Sequence, residues 1–171
     1  SNAVLARMKR GYNTRQFLEA VTRIRGMWPH AAFTTDVIVG FPGETEAEFQ
    51  ETLDFCERVG FSRLHVFPYS PREGTPAAAM DGQVAEAVKA QRVHRLIALG
   101  GDLSRRYREG FLGQCVPVLL EEALPGGGAE GYTPEYVHVC VRDGRPGALA
   151  MVRLDALTEE GMAGTVVEYL P

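Results

Sequence analysis

The stretch TTDVIVGFPGETEAEF (residues 34–49) limits the possible folds more than any other part of this chain. Residues 32–39 are rich in β-branched side chains, with apolar residues on both faces, which is typical of a parallel strand buried on both sides. Thr45 and Glu48 then occupy the positions of a helix capping box. A buried strand that passes through a Gly-Phe-Pro-Gly-Glu turn into a helix predicts a βα unit of an α/β fold.

The neighbouring segments extend this pattern. Apolar residues at helical spacing predict a helix over residues 14–28, and FSRLHVFPYS (residues 61–70) predicts a second strand. Units of roughly 30 residues form a βαβ arrangement, but two strands are too few for a closed barrel or a large sheet. We therefore expect this part of the chain to be a piece of a larger α/β structure.

A long helix is predicted next, over residues 83–107. Basic residues on its outer side would form either a solvated face or a face for RNA phosphates. These residues are Lys89, Arg92, Arg95, Arg105, Arg106 and Arg108.

After Gly113 the pattern changes to short alternating runs separated by Gly-rich turns, which predicts four or five strands in a small antiparallel β-barrel. The charge balance changes as well. Residues 1–109 carry 15 basic and 13 acidic side chains, whereas residues 110–171 carry 3 and 9. We predict two domains, 4–109 and 110–171.

Composition excludes some classes of protein. No apolar run reaches the ~20 residues of a membrane-spanning helix, and no signal-peptide pattern is present. Cys56, Cys115 and Cys140 lie far apart and show neither metal-ligand spacing nor a disulfide framework, so we expect no metal site and a cytoplasmic protein. Ser-Asn-Ala at the start resembles the scar of a cleaved tag, and the expectation is a fragment of a longer protein.

The turn at residues 40–44 is the first candidate site. Ligands of α/β folds bind beyond the carboxyl ends of the strands. Gly40 and Gly43 would let a flat ligand approach the backbone, Ile38 would supply an apolar wall, and the following helix start would favour an anion. A purely structural βα turn remains the alternative interpretation.

Three other segments carry candidate residues. Arg10 could hold a carboxylate in a forked pair, or lie in a solvated basic turn. The stiff loop after the second strand presents Tyr69 and Arg72, as at an active-site rim. Tyr132 and Tyr136 could stack on RNA bases, unless their rings pack inside the barrel.

Together these stretches resemble the radical S-adenosylmethionine methylthiotransferase family. MKRGY, TTDVIVGFPGET, HVFPYSPREGTPAA and QRVHRLI follow the family's order, and EGYTPEYVHV is similar to its terminal RNA-binding TRAM domain. HVFPYSPREGT and EGYTPEYVHV are most similar to the MtaB-type branch, which acts on threonylcarbamoyladenosine in tRNA.

The resemblance implies the carboxyl-terminal half of a partial (β/α) radical-SAM barrel followed by a TRAM barrel. It also implies a parent iron–sulfur enzyme that installs a methylthio group on threonylcarbamoyladenosine next to the tRNA anticodon. S-adenosylmethionine, two iron–sulfur clusters and an electron donor such as a flavodoxin or ferredoxin would be required. The family's CxxxCxxC triplet does not occur here, so the fragment is expected to be inactive, with no catalytic residue and no bound cofactor of its own.

The resemblance also assigns roles to residues. Arg10 would bind the methionine carboxylate of S-adenosylmethionine. The walls around adenine would comprise Ile38, Gly40, Gly43, Glu44, Val66, Phe67 and Pro68. Contacts to tRNA would come from Tyr69, Arg72, Tyr132, Tyr136 and Arg142.

Two alternatives stay open. One is a stand-alone RNA-binding or scaffold module without catalysis. The other is a neighbouring methylthiotransferase branch, acting on isopentenyladenosine in tRNA or on an aspartate of a ribosomal protein.

Overall fold

The computed structural model describes residues 1–171 as two compact units, Ser1–Ser104 (unit 1) and Arg105–Pro171 (unit 2). No helix has the length and apolar character needed to span a membrane. The first part of the chain forms α1 (Asn2–Arg7), α2 (Thr14–Met27), β1 (Thr34–Val39), α3 (Glu46–Val59), β2 (Arg63–Pro68), a 3₁₀ turn (Pro76–Ala79) and α4 (Glu86–Glu109). The second part forms β3 (Cys115–Ala123), β4 (Ala129–Tyr132), β5 (His138–Val141), β6 (Ala148–Leu157) and β7 (Met162–Tyr169).

The predicted βαβ unit is present. Helix α3 begins with both hydrogen bonds of the Thr45–Glu48 capping box and ends at Gly60, whose φ of 64° is left-handed. Strands β1 and β2 pair in parallel, with Thr34 opposite Arg63 and Val39 opposite Pro68.

The expectation that β1 is buried on both sides is wrong. One face of the β1–β2 pair packs on the core of unit 1, through residues such as Val37, Leu64 and Val66. On the opposite face Asp36 and His65 are exposed. Of the residues of β1, only Val39 is fully buried. A sheet of two strands packed on one side leaves its other face open.

Unit 2 contains a closed five-stranded barrel, in the order β3-β4-β5-β7-β6. Every neighbouring pair is antiparallel except β5 and β7, which are parallel. The predicted small β-barrel is therefore confirmed, with one strand pair in the opposite sense. Its core consists of inward-facing apolar side chains, among them Val118, Leu120, Val139, Val152 and Leu154, all fully buried.

The predicted basic outer side of α4 is wrong for three residues. Lys89, Arg92 and Arg108 are only 3%, 4% and 8% exposed. Arg92 lies three residues after Lys89 and four residues before the buried Leu96. At this spacing all three side chains fall on the same, inner face of the helix. Arg108, within unit 2, donates to the backbone oxygens of the turn between β6 and β7, at Thr158, Glu159 and Gly161.

Candidate functional site

A cavity of about 800 Å³ lies in unit 1, beside β1 and at the carboxyl end of β2, between the strands and helices α1, α2 and α3. Ile38 lines it from β1, and Phe67 and Pro68 line it from the end of β2. Arg10 and Arg72 add positive charge to its wall. A cavity of this volume and mixed lining falls within the range of small-molecule and cofactor sites.

Glu44 determines the shape of the turn that follows β1. Its carboxylate is buried, accepts a hydrogen bond from the Gly40 backbone N–H at 2.5 Å and pairs with Arg92 Nη1 at 2.8 Å. Burial raises the pKa of Glu44, and the Gly40 and Arg92 hydrogen bonds oppose that rise. The carboxylate therefore closes its own turn, although Glu44 also borders the cavity.

Gly40 and Gly43 pack closely against other parts of unit 1. Both have left-handed backbones, with φ of 72° and 76°. A Cβ at Gly40 would collide with the Lys89 side chain, and the Gly43 N–H donates to the Gly82 carbonyl at 2.8 Å. Neither glycine lines the cavity, and close packing of the protein on itself accounts for a glycine at both positions.

The other predicted cofactor residues divide into two groups. Arg10, Ile38, Phe67 and Pro68 all line the cavity. Val66 does not line it, and its side chain packs on the core of unit 1.

Helix α4 holds the loops that follow β1 and β2. This role of the helix was not predicted from the sequence. Lys89 Nζ donates to the Tyr69 carbonyl at 2.9 Å and to Glu86 at 2.8 Å. Arg92 donates to the Glu44 carbonyl as well as to its carboxylate. The signal was present in the sequence, since both cations fall on the apolar stripe of the helix.

Arg7 and Glu48 connect α1 to the start of α3. Two hydrogen bonds join them, at 2.9 and 2.7 Å. Because Arg7 donates to the carboxylate, the pKa of Glu48 falls to about 2. The pair keeps α1, whose Val4 and Leu5 line the cavity, against α3.

Tyr69 and Arg72 border the same cavity. The Tyr69 ring meets Phe41 edge-on at 5.3 Å, and its hydroxyl is buried without a hydrogen-bond partner. Buried hydroxyls are normally paired, so a polar ligand group is a natural partner for it. Together with the apolar side chains of Ile38 and Phe67, this unpaired group fits a nucleoside-type cofactor.

The cysteines do not fit an iron–sulfur cluster. Cys56 is buried in the core of unit 1, where burial raises its pKa to about 11. Cys115 is exposed on β3, and Cys140 is half-buried on β5. Clusters require compact sets of thiolates, which these three do not form.

The candidate RNA residues of unit 2 lie on the outside of the barrel. Tyr132 is 46% exposed and Tyr136 is 81% exposed, so the alternative of interior packing is wrong. Their ring centroids are 6.4 Å apart, and Tyr132 also contacts His138 at 5.3 Å. These three rings form the aromatic patch.

Arg142 is exposed but lies at the other end of the same hairpin. Tyr132 pairs with His138, whereas Ala129 pairs with Val141, next to Arg142. Three residues of strand separate the two ends by about 10 Å. The arginine therefore does not join the aromatic patch.

Comparison with known proteins places these features in context. Residues 1–56 match the model of the radical SAM superfamily. The chain is 43% identical to the threonylcarbamoyladenosine tRNA methylthiotransferase MtaB of Thermotoga maritima, over 95% of this chain and 37% of that protein. Identity to the Bacillus subtilis protein of the same name is 48%, over 81% and 32%.

A tRNA-2-methylthio-N(6)-dimethylallyladenosine synthase of Frankia casuarinae is 50% identical over 71% of this chain and 23% of that protein. The chain thus spans about a third or less of the length of these relatives. The resemblance seen in the motifs is confirmed: over most of its length, this chain is similar to radical SAM tRNA methylthiotransferases.

Proposed function

We propose that this chain is part of a radical SAM methylthiotransferase that modifies threonylcarbamoyladenosine next to the anticodon of tRNA. The observation that carries the proposal is the cavity beside β1 and at the carboxyl end of β2, in a chain 43% and 48% identical to two MtaB proteins. In α/β folds this edge of the sheet is where ligands bind.

Unit 1 would be the carboxyl-terminal part of the radical-SAM barrel. Arg10 would hold the methionine carboxylate, and Ile38, Phe67 and Pro68 would flank the adenine. When bound, S-adenosylmethionine supplies the radical that activates the target adenine carbon. The iron–sulfur clusters would be held by cysteines elsewhere in a longer protein, with electrons from a flavodoxin or ferredoxin.

The residues of this chain would bind and position. Glu44, Lys89 and Arg92 keep the two loops at the cavity in place, and the Tyr69 hydroxyl would donate to the bound nucleoside. Positioning of this kind accounts for a large share of enzymatic rate enhancement.

Unit 2 would be the TRAM domain that docks on tRNA. Three arginines against nine acidic side chains in residues 110–171 give little electrostatic attraction for RNA. Base stacking on Tyr132 and Tyr136 would carry the contact instead, at about 1–3 kcal/mol per base. Tyr69 and Arg72 would lie near the target nucleotide, and Arg142 would add a peripheral phosphate contact.

A neighbouring branch is the second candidate. The Frankia casuarinae relative, named for dimethylallyladenosine, is as similar in identity as the two MtaB proteins but over a smaller part of this chain. The segments HVFPYSPREGT and EGYTPEYVHV, which are most similar to the MtaB branch, favour threonylcarbamoyladenosine.

Nucleoside mass spectrometry of tRNA decides the substrate. A bacterial strain lacking the full-length gene should regain methylthio-threonylcarbamoyladenosine when the gene is restored. Restoration of methylthio-dimethylallyladenosine alone would assign the protein to the neighbouring branch, and restoration of neither would refute the proposal.

Cofactor binding is tested by calorimetry of the full-length, reconstituted protein with S-adenosylmethionine. Arg10→Ala should weaken binding about tenfold or more, because a charge-assisted hydrogen bond is lost. Arg23→Ala, which removes an exposed arginine of α2 that does not line the cavity, is the matched control and should bind normally. Equal affinity of both variants with the wild type would remove Arg10 from the site.

RNA binding is tested by anisotropy titration of full-length protein and tRNA at two salt concentrations. The double variant Tyr132→Ala/Tyr136→Ala should bind more weakly than Arg142→Ala. A steep salt dependence without any effect of the tyrosines would show that charge, rather than stacking, provides the contact.

A further inference from the structure

Three side chains of different chemistry meet on the outer wall of the barrel. Glu130 lies on β4, directly opposite Cys140 on β5, and His138 lies two residues from Cys140 on the same outward face. The inward positions between them, Val139 and Val141, are buried in the core. The closed barrel therefore fixes the backbone beneath all three side chains.

Their distances match those around a tetrahedral metal ion. Zinc bonds of about 2.3 Å to sulfur and 2.0–2.2 Å to nitrogen or oxygen place neighbouring tetrahedral ligands about 3.4–3.6 Å apart. Glu130 Oε2 lies 3.3 Å from His138 Nε2 and 3.7 Å from Cys140 Sγ. The three ligand atoms all lie within 4.8 Å of one another. A small side-chain rotation therefore brings Cys140 Sγ and His138 Nε2 to the distance expected between two ligands of one tetrahedral ion.

The donor set selects the class of ion. A thiolate with an imidazole suits borderline or soft divalent metals, whereas calcium and magnesium prefer oxygen ligands alone. The His138 and Glu130 side chains are 26% and 32% exposed, so an ion can enter and a fourth coordination position faces solvent.

We propose that Glu130, His138 and Cys140 form a three-ligand site for a zinc-class divalent cation. On binding, the Cys140 S–H bond breaks, its proton leaves to solvent and the sulfur–metal bond forms, with no change of oxidation state. The ion would cross-link β4 to β5 and would use His138, one of the three rings of the aromatic patch. The inference rests on unit 2 alone and does not depend on the proposed function.

Sequence spacing did not reveal this site. Glu130 and His138 are separated by a turn, and the nearest cysteine to Cys140 is 25 residues away in the chain. Only the strand pairing brings the three ligands together.

Cobalt(II) titration of the reduced 171-residue chain tests the proposal. We expect one equivalent of Co²⁺ to produce a sulfur-to-metal charge-transfer band and the intense visible bands of a tetrahedral ion. Zinc should displace the cobalt, and saturating zinc should raise the Tm of the chain by mass action.

Variants decide which residues bind. Cys140→Ser should abolish the charge-transfer band, and His138→Gln should weaken cobalt binding by about tenfold or more. Cys115→Ser removes an exposed cysteine of the same unit and is the matched control, with spectrum and affinity unchanged. Circular dichroism confirms that each variant is folded.

Three results would overturn the proposal. They are no charge-transfer band in the wild-type chain, a band that survives Cys140→Ser, and a band that disappears in Cys115→Ser.

Discussion

The two units solve the problem of holding a small sheet in different ways. Unit 2 closes five strands into a barrel around an apolar core, so each strand is paired on both sides, and its one buried charge, Arg108, serves the turn between β6 and β7. Unit 1 has only two paired strands, and it buries three charged side chains near their ends: Glu44, Lys89 and Arg92.

The difference teaches where polar interactions are needed. In a closed barrel, the backbone N–H and C=O groups of every strand hydrogen-bond to a neighbouring strand on each side, so no strand edge is free. The turns after β1 and β2 lie outside any such ladder of hydrogen bonds, and paired charges hold them: Lys89 and Arg92 from α4, with Glu44. In unit 2 only the turn between β6 and β7 is held in a comparable way, by Arg108. Buried ion pairs cost desolvation, and they specify an arrangement only while every member is paired.

The largest effect should come from disturbing barrel closure. A Cβ at Gly131 would overlap the Leu119 carbonyl on the adjacent strand, so Gly131→Ala should force β3 and β4 apart and cost more than ~4 kcal/mol of unfolding free energy. Urea denaturation followed by circular dichroism measures the loss. Gly126→Ala, also in unit 2, meets no atom within 4 Å and has only a left-handed φ of 94°, so it should cost about 1–2 kcal/mol. Equal costs would mean that close strand approach is unimportant.

The second effect concerns the charged network of unit 1. Arg92→Met leaves the buried Glu44 carboxylate without its cation, which should cost about 3–5 kcal/mol. Arg95→Met removes a neighbouring arginine whose partner, Glu46, is 63% exposed, and should cost less than ~1 kcal/mol. Chemical denaturation of both variants makes the comparison. If Arg92→Met were no worse than Arg95→Met, the network would be dispensable and the two units would differ only in topology.

The smallest effect is a pH dependence specific to unit 1. Arg7 lowers the pKa of Glu48 to about 2 from 4.5, so the pair stabilises the fold above pH 4.5 and loses that contribution as the pH falls towards 2. Arg7→Met should therefore cost about 1 kcal/mol at neutral pH. The difference from wild type should shrink as the carboxylate is protonated. A difference that stays constant from neutral pH to pH 2 would assign the loss to packing of the Arg7 side chain.

Local sequence determined most of the elements, although helix α1 was not predicted and α4 begins three residues later than expected. The capping box at Thr45 and Glu48 and the left-handed Gly60 delimit α3, because their hydrogen bonds and backbone angles depend on residues only a few positions away. Alternation and glycine-rich turns were likewise enough to predict a small barrel after Gly113. The motifs also indicated the side of the sheet that carries the cavity.

Tertiary structure alone decided how the polar side chains are used. Gly40 leaves space for Lys89, Arg92 neutralises Glu44, and Cys140 meets Glu130 and His138. No sequence pattern marks these contacts, and in the first two the partners lie more than 40 residues apart. The physical reason is that a charge, a thiol or a missing side chain has no fixed meaning until packing sets its burial and its neighbours. Helical and strand periodicity give each side chain a direction, and only the assembled fold supplies what it meets there.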